Sequence, residues 1–142
     1  MISKKTILRG VIILLCLVFC GVLYALFQYN KPHTNVATSD VNITLTAQAL
    51  YADFENNEAA ANTKYLDQII QVTGPILSVK TVKDQKIISI GSEETFGSVK
   101  CYLTPEEIEK NYTLKEGQII TVKGICTGYL MDVILVKAVL TN

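Results

Sequence analysis

Gln68-Ile-Ile-Gln-Val-Thr-Gly-Pro-Ile-Leu-Ser-Val-Lys-Thr-Val-Lys83 decides the fold. The run is rich in β-branched residues and roughly alternates apolar with polar side chains, so it predicts a strand. Gly74-Pro75 in its middle removes a side chain and a ladder donor at adjacent positions, which a straight central strand does not tolerate. The run therefore predicts one long strand with a sharp bend.

Toward the C-terminus, Lys83-Asp84-Gln85 predicts a turn and Lys86–Ile90 a second strand. After the Gly91–Phe96 loop, Gly97–Leu103 predicts a third strand with Val99, Cys101 and Leu103 inward. Thr104-Pro105-Glu106-Glu107 opens a short helix running to about Tyr112: Thr is an N-cap, Pro suits the first helical position, and the acids complement the dipole. Strands follow at Gln118–Cys126, with Ile120, Val122 and Gly124 on one face, and at Asp132–Leu140, with Ile134, Val136 and Ala138 on one face. A mainly β chain in the order β-β-β-α-β-β, with a glycine bend in its first strand, is the plan of a five-stranded oligonucleotide/oligosaccharide-binding (OB) barrel.

Upstream, Leu45–Glu55 predicts a helix capped by Thr46 with Leu50, Tyr51 and Phe54 at helical spacing, and Glu58–Leu66 continues it whole or as a broken pair. Residues 30–44, beginning Asn30-Lys-Pro-His-Thr, are polar and predict an exposed tether, so the domain is placed at 45–142. His33, the single histidine, has no visible partner there and predicts a solvated residue.

The chain has 142 residues, 49% of them hydrophobic and only 18% charged, and that excess of apolar residues is concentrated near the N-terminus. Residues 10–29 carry no charge and are apolar on every helical face, enough to cross a hydrocarbon core about 30 Å thick. Lys4, Lys5 and Arg9 precede that segment, so the positive-inside rule keeps residues 1–9 cytoplasmic and places the C-terminal domain in the periplasm or beyond. The segment predicts a signal anchor of a single-pass membrane protein, because Leu23 and Tyr24 before Ala25 do not suit cleavage. Lipidation at Cys20 is a further reading of Leu17-Val-Phe-Cys20, opposed by the bulk of Phe19.

Beyond residue 30, ten lysines face all 13 acidic residues, a net charge of −3. Nucleic-acid modules draw much of their affinity from neutralising phosphates with a basic excess, and this chain lacks one. On the OB plan the ligand platform is the face of strands two and three with the adjoining loops, which nominates Lys100, Tyr102 and Tyr129 as ligand-binding residues. Cys101 and Cys126 share inward parity, so a disulfide and two buried thiols are both open readings. Two cysteines without histidine in the domain cannot assemble a four-ligand zinc site, and neither cofactor nor metal is expected. No paired carboxylates, activated nucleophile or phosphate-cradling glycine loop is legible, so no enzyme activity is expected.

Tyr65-Leu66, Ile70-Gln-Val-Thr-Gly74, Val99-Lys-Cys-Tyr102, Gly117-Gln118, Val122-Lys-Gly-Ile-Cys-Thr-Gly128 and Asp132-Val133 together resemble the tRNA_anti-like OB-fold family, in particular its small membrane- or lipid-anchored bacterial members. The resemblance covers roughly residues 45–140 and implies an OB barrel whose name records kinship of fold, not a demonstrated tRNA ligand. The expectation is a membrane-anchored, extracytoplasmic, non-catalytic binding module for an envelope protein, peptide or glycan. The alternative is an OB protein binding tRNA or single-stranded nucleic acid.

Overall fold

The computed structural model describes residues 4–29 and 35–141, with side chains described for 12–26 and 35–141. His33 and the first part of the tether lie outside the described residues. The chain divides into two compact units, Met1–Thr34 and Asn35–Asn142.

The first unit is helix α1, Lys4–Tyr29, of 26 residues. Its described side chains are all exposed, Cys16 and Cys20 among them. Among the described residues no helix is long and apolar enough to cross a membrane. Of the membrane-crossing helix expected over 10–29, the structure therefore shows the helix.

The second unit holds strand β1 (Ile43–Thr46), helices α2 (Ala47–Asn56) and α3 (Glu58–Tyr65), and strands β2 (Ile69–Val82), β3 (Gln85–Ile90) and β4 (Val99–Leu103). Helix α4 (Pro105–Glu109) and strands β5 (Ile119–Leu130) and β6 (Asp132–Thr141) complete it. The strands run in the order β1-β2-β3-β4-β6-β5, and an additional β2–β5 pairing closes the sheet into a barrel. The long bent strand makes closure possible: Ile69–Pro75 pairs with β5, and Ile76–Val82 pairs with β3 across a register shift. Pro75 sits at the exposed end of the β5 pairing, where its missing N–H costs no interior ladder bond.

The barrel interior is filled by Ile70, Val72, Ile88, Val99, Val122 and Leu135, all fully buried. α2 packs across one pole with Leu50, Tyr51 and Phe54 turned inward. Gly74 admits this helix, since a Cβ there would stand 2.9 Å from the Ala47 methyl. α4 lies at the opposite end of β4 and β6, where the buried Glu107 carboxylate pairs with Lys110 and accepts the Leu140 N–H at 3.2 Å.

The details differ from the sequence reading in four places. α4 ends at Glu109 rather than near Tyr112, because Asn111 adopts the left-handed conformation (φ 49°) and stops the helix. Upstream, Ile43–Thr46 is strand β1, paired in parallel with β2, so the helix begins at Ala47 rather than Leu45; it takes the broken-pair form, split at Asn57 (φ −157°), whose side chain caps α3 by accepting the Ala60 N–H. In β6 the inward residues are Val133 and Leu135, with Ile134 and Val136 outward; a left-handed Lys137 (φ 50°) then shifts the register and turns Ala138 inward. Lastly, residues from Asn35 onward belong to the folded unit. Val36 is 3% exposed, and Lys123 Nζ donates to the carbonyls of Ala37 and Ser39 at 2.9 and 3.0 Å, strapping Asn35–Ser39 to the barrel wall.

Candidate functional site

The register of the sheet builds the outer face of β3, β4 and β6 row by row. Lys80, Ile87 and Tyr102 stand side by side across β2, β3 and β4, all pointing out. The neighbouring row is Ser78, Ser89, Lys100 and Ile134, reaching β6. Outward side chains on this parity are partly exposed while their inward neighbours Ile88, Val99 and Cys101 are buried, as strand alternation requires. The face carries an aromatic ring, two branched aliphatics and two serines, with lysines on either side.

Lys100 is not a free cation. Its ammonium lies 2.6 Å from Asp132 Oδ2, and Asp132 Oδ1 accepts from the Ser98 backbone N–H at 2.8 Å and the Ser98 hydroxyl at 2.9 Å. Partial burial raises the Asp132 carboxyl, but the bonds from Lys100 and Ser98 outweigh it and hold the group below its ordinary value. The pair clamps the start of β4 to the start of β6 and matches the Lys100 charge, while Lys80 at the β2 edge of the face has no ion pair among the described residues.

Tyr129 is placed elsewhere. Its ring stacks on Phe54 at 5.6 Å between centroids, with 19° between planes, and meets Tyr51 edge-on at 6.0 Å. Hydrogen bonding to Tyr129 and burial push the Tyr51 phenol up to about 12. The sequence pattern puts Tyr129 in the loop between the last two strands; here it lies within β5 and forms the socket into which α2 plugs. Its remaining accessible surface, with Glu58, Asn62, Leu66 and Leu130, lines a groove of about 350 Å³ between α3 and the β5–β6 hairpin. Of the three nominated residues, the structure puts Lys100 and Tyr102 on one platform and Tyr129 at the α2 pole.

Cys101 and Cys126 are both buried and unbonded. Burial alone raises the Cys101 thiol to about 12, and burial also raises that of Cys126. Cys20, the candidate lipidation site, lies exposed on α1. Among the described residues no group of three or more His, Cys, Asp or Glu could hold a metal ion. A larger cleft of about 530 Å³ lies between the start of α2, the β2 bend and two loops, lined by Gln48, Pro75, Glu93, Glu116 and Ile119 among others. No local pattern announces it, because four separate segments supply its walls.

A closed five-stranded barrel in this strand order, with a helix between its third and fourth strands, is an OB-fold protein. The family model described as tRNA_anti-like matches residues 1–140, and the chain belongs to that family. Among solved structures it is similar to the "putative nucleic acid-binding lipoprotein" of Klebsiella pneumoniae subsp. pneumoniae MGH 78578, at 15% identity and a TM-score of 0.58, covering 79% of this chain and 100% of that one. It also overlaps the S. pombe Stn1-ten1 complex (11% identity, TM-score 0.41, 52% of this chain and 58% of that chain). A third overlap is with the OBody AM3L09 bound to hen egg-white lysozyme (18% identity, TM-score 0.44, 56% and 86%). No curated protein matches the chain. At such identities the likeness establishes the fold, and the family is of the OB-fold type.

Proposed function

We propose that this chain is a membrane-anchored, extracytoplasmic binding module whose outer face on β3, β4 and β6 takes an envelope protein, peptide or glycan and performs no catalysis. The observation that carries this is a platform whose central cation, Lys100, is matched, which leaves Lys80 at its edge as the cation without an ion pair among the described residues. Ile87 stands beside Tyr102, Ile134 stands beside Lys100, and the Lys100 charge is matched by Asp132. An amphipathic face with Lys80 alone uncompensated suits a peptide backbone or a sugar ring, whereas a strand of phosphates asks for several uncompensated cations. The anchor rests on the uncharged stretch 10–29 within α1, and the outward orientation rests on the basic residues that precede it.

Nucleic-acid binding is the second reading, supported by the name of the Klebsiella relative and by Tyr102 as a stacking ring. One experiment separates the two. The full chain is titrated with a single-stranded oligonucleotide at two salt concentrations, and topology is read by protease shaving of spheroplasts carrying a C-terminal tag. The binding-module reading expects no salt-dependent oligonucleotide binding and loss of the tag from intact spheroplasts. Binding that weakens steeply with salt, on a tag that survives shaving, overturns it in favour of nucleic acid.

A further inference from the structure

Phe96 is 100% exposed, and Leu130 and Met131 at the β5–β6 turn are 85% and 78% exposed. The backbone gathers them at one pole: a Cβ on Gly97, the residue after Phe96, would lie only 2.0 Å from the Met131 carbonyl oxygen. Large apolar residues left together in water mark a surface that another body covers. The charges around them select that body. Glu93 and Glu94 precede Phe96 in its own loop, Glu58 lines the adjoining groove with Leu66 and Leu130, and none of the three is ion-paired among the described residues. The lysines associated with this end, Lys64 and Lys100, are taken up by Asp53 and Asp132. An anionic bilayer is repelled by such a rim, whereas a cationic segment with an apolar tip is attracted.

The chain itself presents one. The β2–β3 turn reads Lys80-Thr-Val-Lys-Asp-Gln-Lys86, three lysines to one acid, with Val82 55% exposed at the tip and none of these lysines ion-paired among the described residues. It lies at the opposite end of β3 from the Phe96 loop. The 6 residues of β3 at about 3.4 Å each keep it from folding back on its own pole. We infer that the Phe96–Leu130–Met131 pole of one chain receives the β2–β3 turn of a second copy, with Val82 against the apolar patch and the lysines against Glu93, Glu94 and Glu58. The contact is heterologous, since each copy offers one pole and one turn, and it builds chains or rings rather than closed dimers.

The test uses full-length chains in non-ionic detergent, with energy transfer between differently labelled copies. Glu93→Lys/Glu94→Lys and Lys80→Glu/Lys83→Glu change only exposed side chains and leave the barrel core untouched. Each variant alone should associate at least tenfold more weakly than the parent, whose association should itself weaken between about 50 and about 500 mM salt. Mixed, the two variants should recover association, because the reversed pole of one then faces the reversed turn of the other. Association that ignores both variants, or a mixture no better than its components, overturns the proposal. So does a photo-crosslinker placed at Phe96 in native membranes that captures lipid or an unrelated protein instead of a peptide containing residues 80–86.

Discussion

Cys101 and Cys126 flank the same residue, Leu135, one from each neighbouring strand: β6 runs between them and registers Cys101 and Cys126 both opposite Leu135. Two strand spacings put their Cα atoms about 9.5 Å apart, beyond the roughly 7 Å a disulfide can bridge without moving backbone. In Cys16→Ser/Cys20→Ser protein, a thiol reagent at pH 8 should find no reactive cysteine in the folded state and two after denaturant. An intact mass lower by two hydrogens after purification without reductant would contradict this geometry.

The α2 plug is the part of the barrel most sensitive to single substitutions. Phe54→Ala removes the ring stacked on Tyr129 and leaves a cavity at the pole, which should cost about 3–5 kcal/mol in a denaturant titration. Tyr129→Phe keeps the stack and should cost far less. Similar losses for the two would mean that a hydroxyl, not the ring packing, holds α2.

Two glycines make a contrasting pair. A Cβ at Gly97 would collide with the Met131 carbonyl oxygen at 2.0 Å and the Tyr51 ring at 2.5 Å, and neither can retreat without moving the hairpin turn or α2. A Cβ at Gly117 meets nothing within 4 Å, and only the left-handed φ of 79° resists it. Gly97→Ala should therefore lower the melting temperature much more than Gly117→Ala, whose cost is about 1 kcal/mol.

Asp132 gives the acid limb of stability a defined sign. Its folded-state value is depressed, so its contribution is complete above the unfolded value near 3.8 and is lost as pH falls through the folded value. Asp132→Asn should cost about 1–3 kcal/mol at neutral pH and flatten the decline of stability below pH 4, measured by urea titrations across the acid range. A variant declining in parallel with the parent would assign the acid limb to other carboxylates.

The strap over the barrel wall is testable by hydrogen exchange. Lys123→Met keeps an apolar stem of similar length and deletes the donors to the Ala37 and Ser39 carbonyls. Amides from Val36 to Ser39 should then exchange at least tenfold faster, with the protection of β5 unchanged. Unchanged exchange at Val36 would show that its burial alone holds the segment.

What could be read in advance follows from how local each signal is. The Thr104-Pro-Glu-Glu start of α4 and the Gly74-Pro75 bend are encoded within a few residues, and both lie where the sequence puts them. β1 was missed because Ile43–Thr46 is too short for a period-2 pattern and its pairing partner lies 27 residues on. The parity of β6 was misread because Lys137, not a glycine, carries the left-handed φ that shifts the register. Tyr129 reads as a loop aromatic until α2 is laid on it. The burial of Lys123 depends on carbonyls 84 and 86 residues away, which no local pattern announces.

The β2–β5 pairing, which closes the barrel, joins Thr73 to Thr121 hydroxyl to hydroxyl across a separation of 48 residues. The β2–β3 and β5–β6 hairpins, by contrast, turn within a few residues and can form on the microsecond scale. Closure must await a loop whose entropy is lost before any contact rewards it, which makes it the slow event of folding. Until β5 arrives, one edge of the first half of β2 is an open template, and β1, already synthesised upstream, can occupy only the other. A newly made chain is therefore most prone to mispairing in the interval between emergence of β2 and completion of β5.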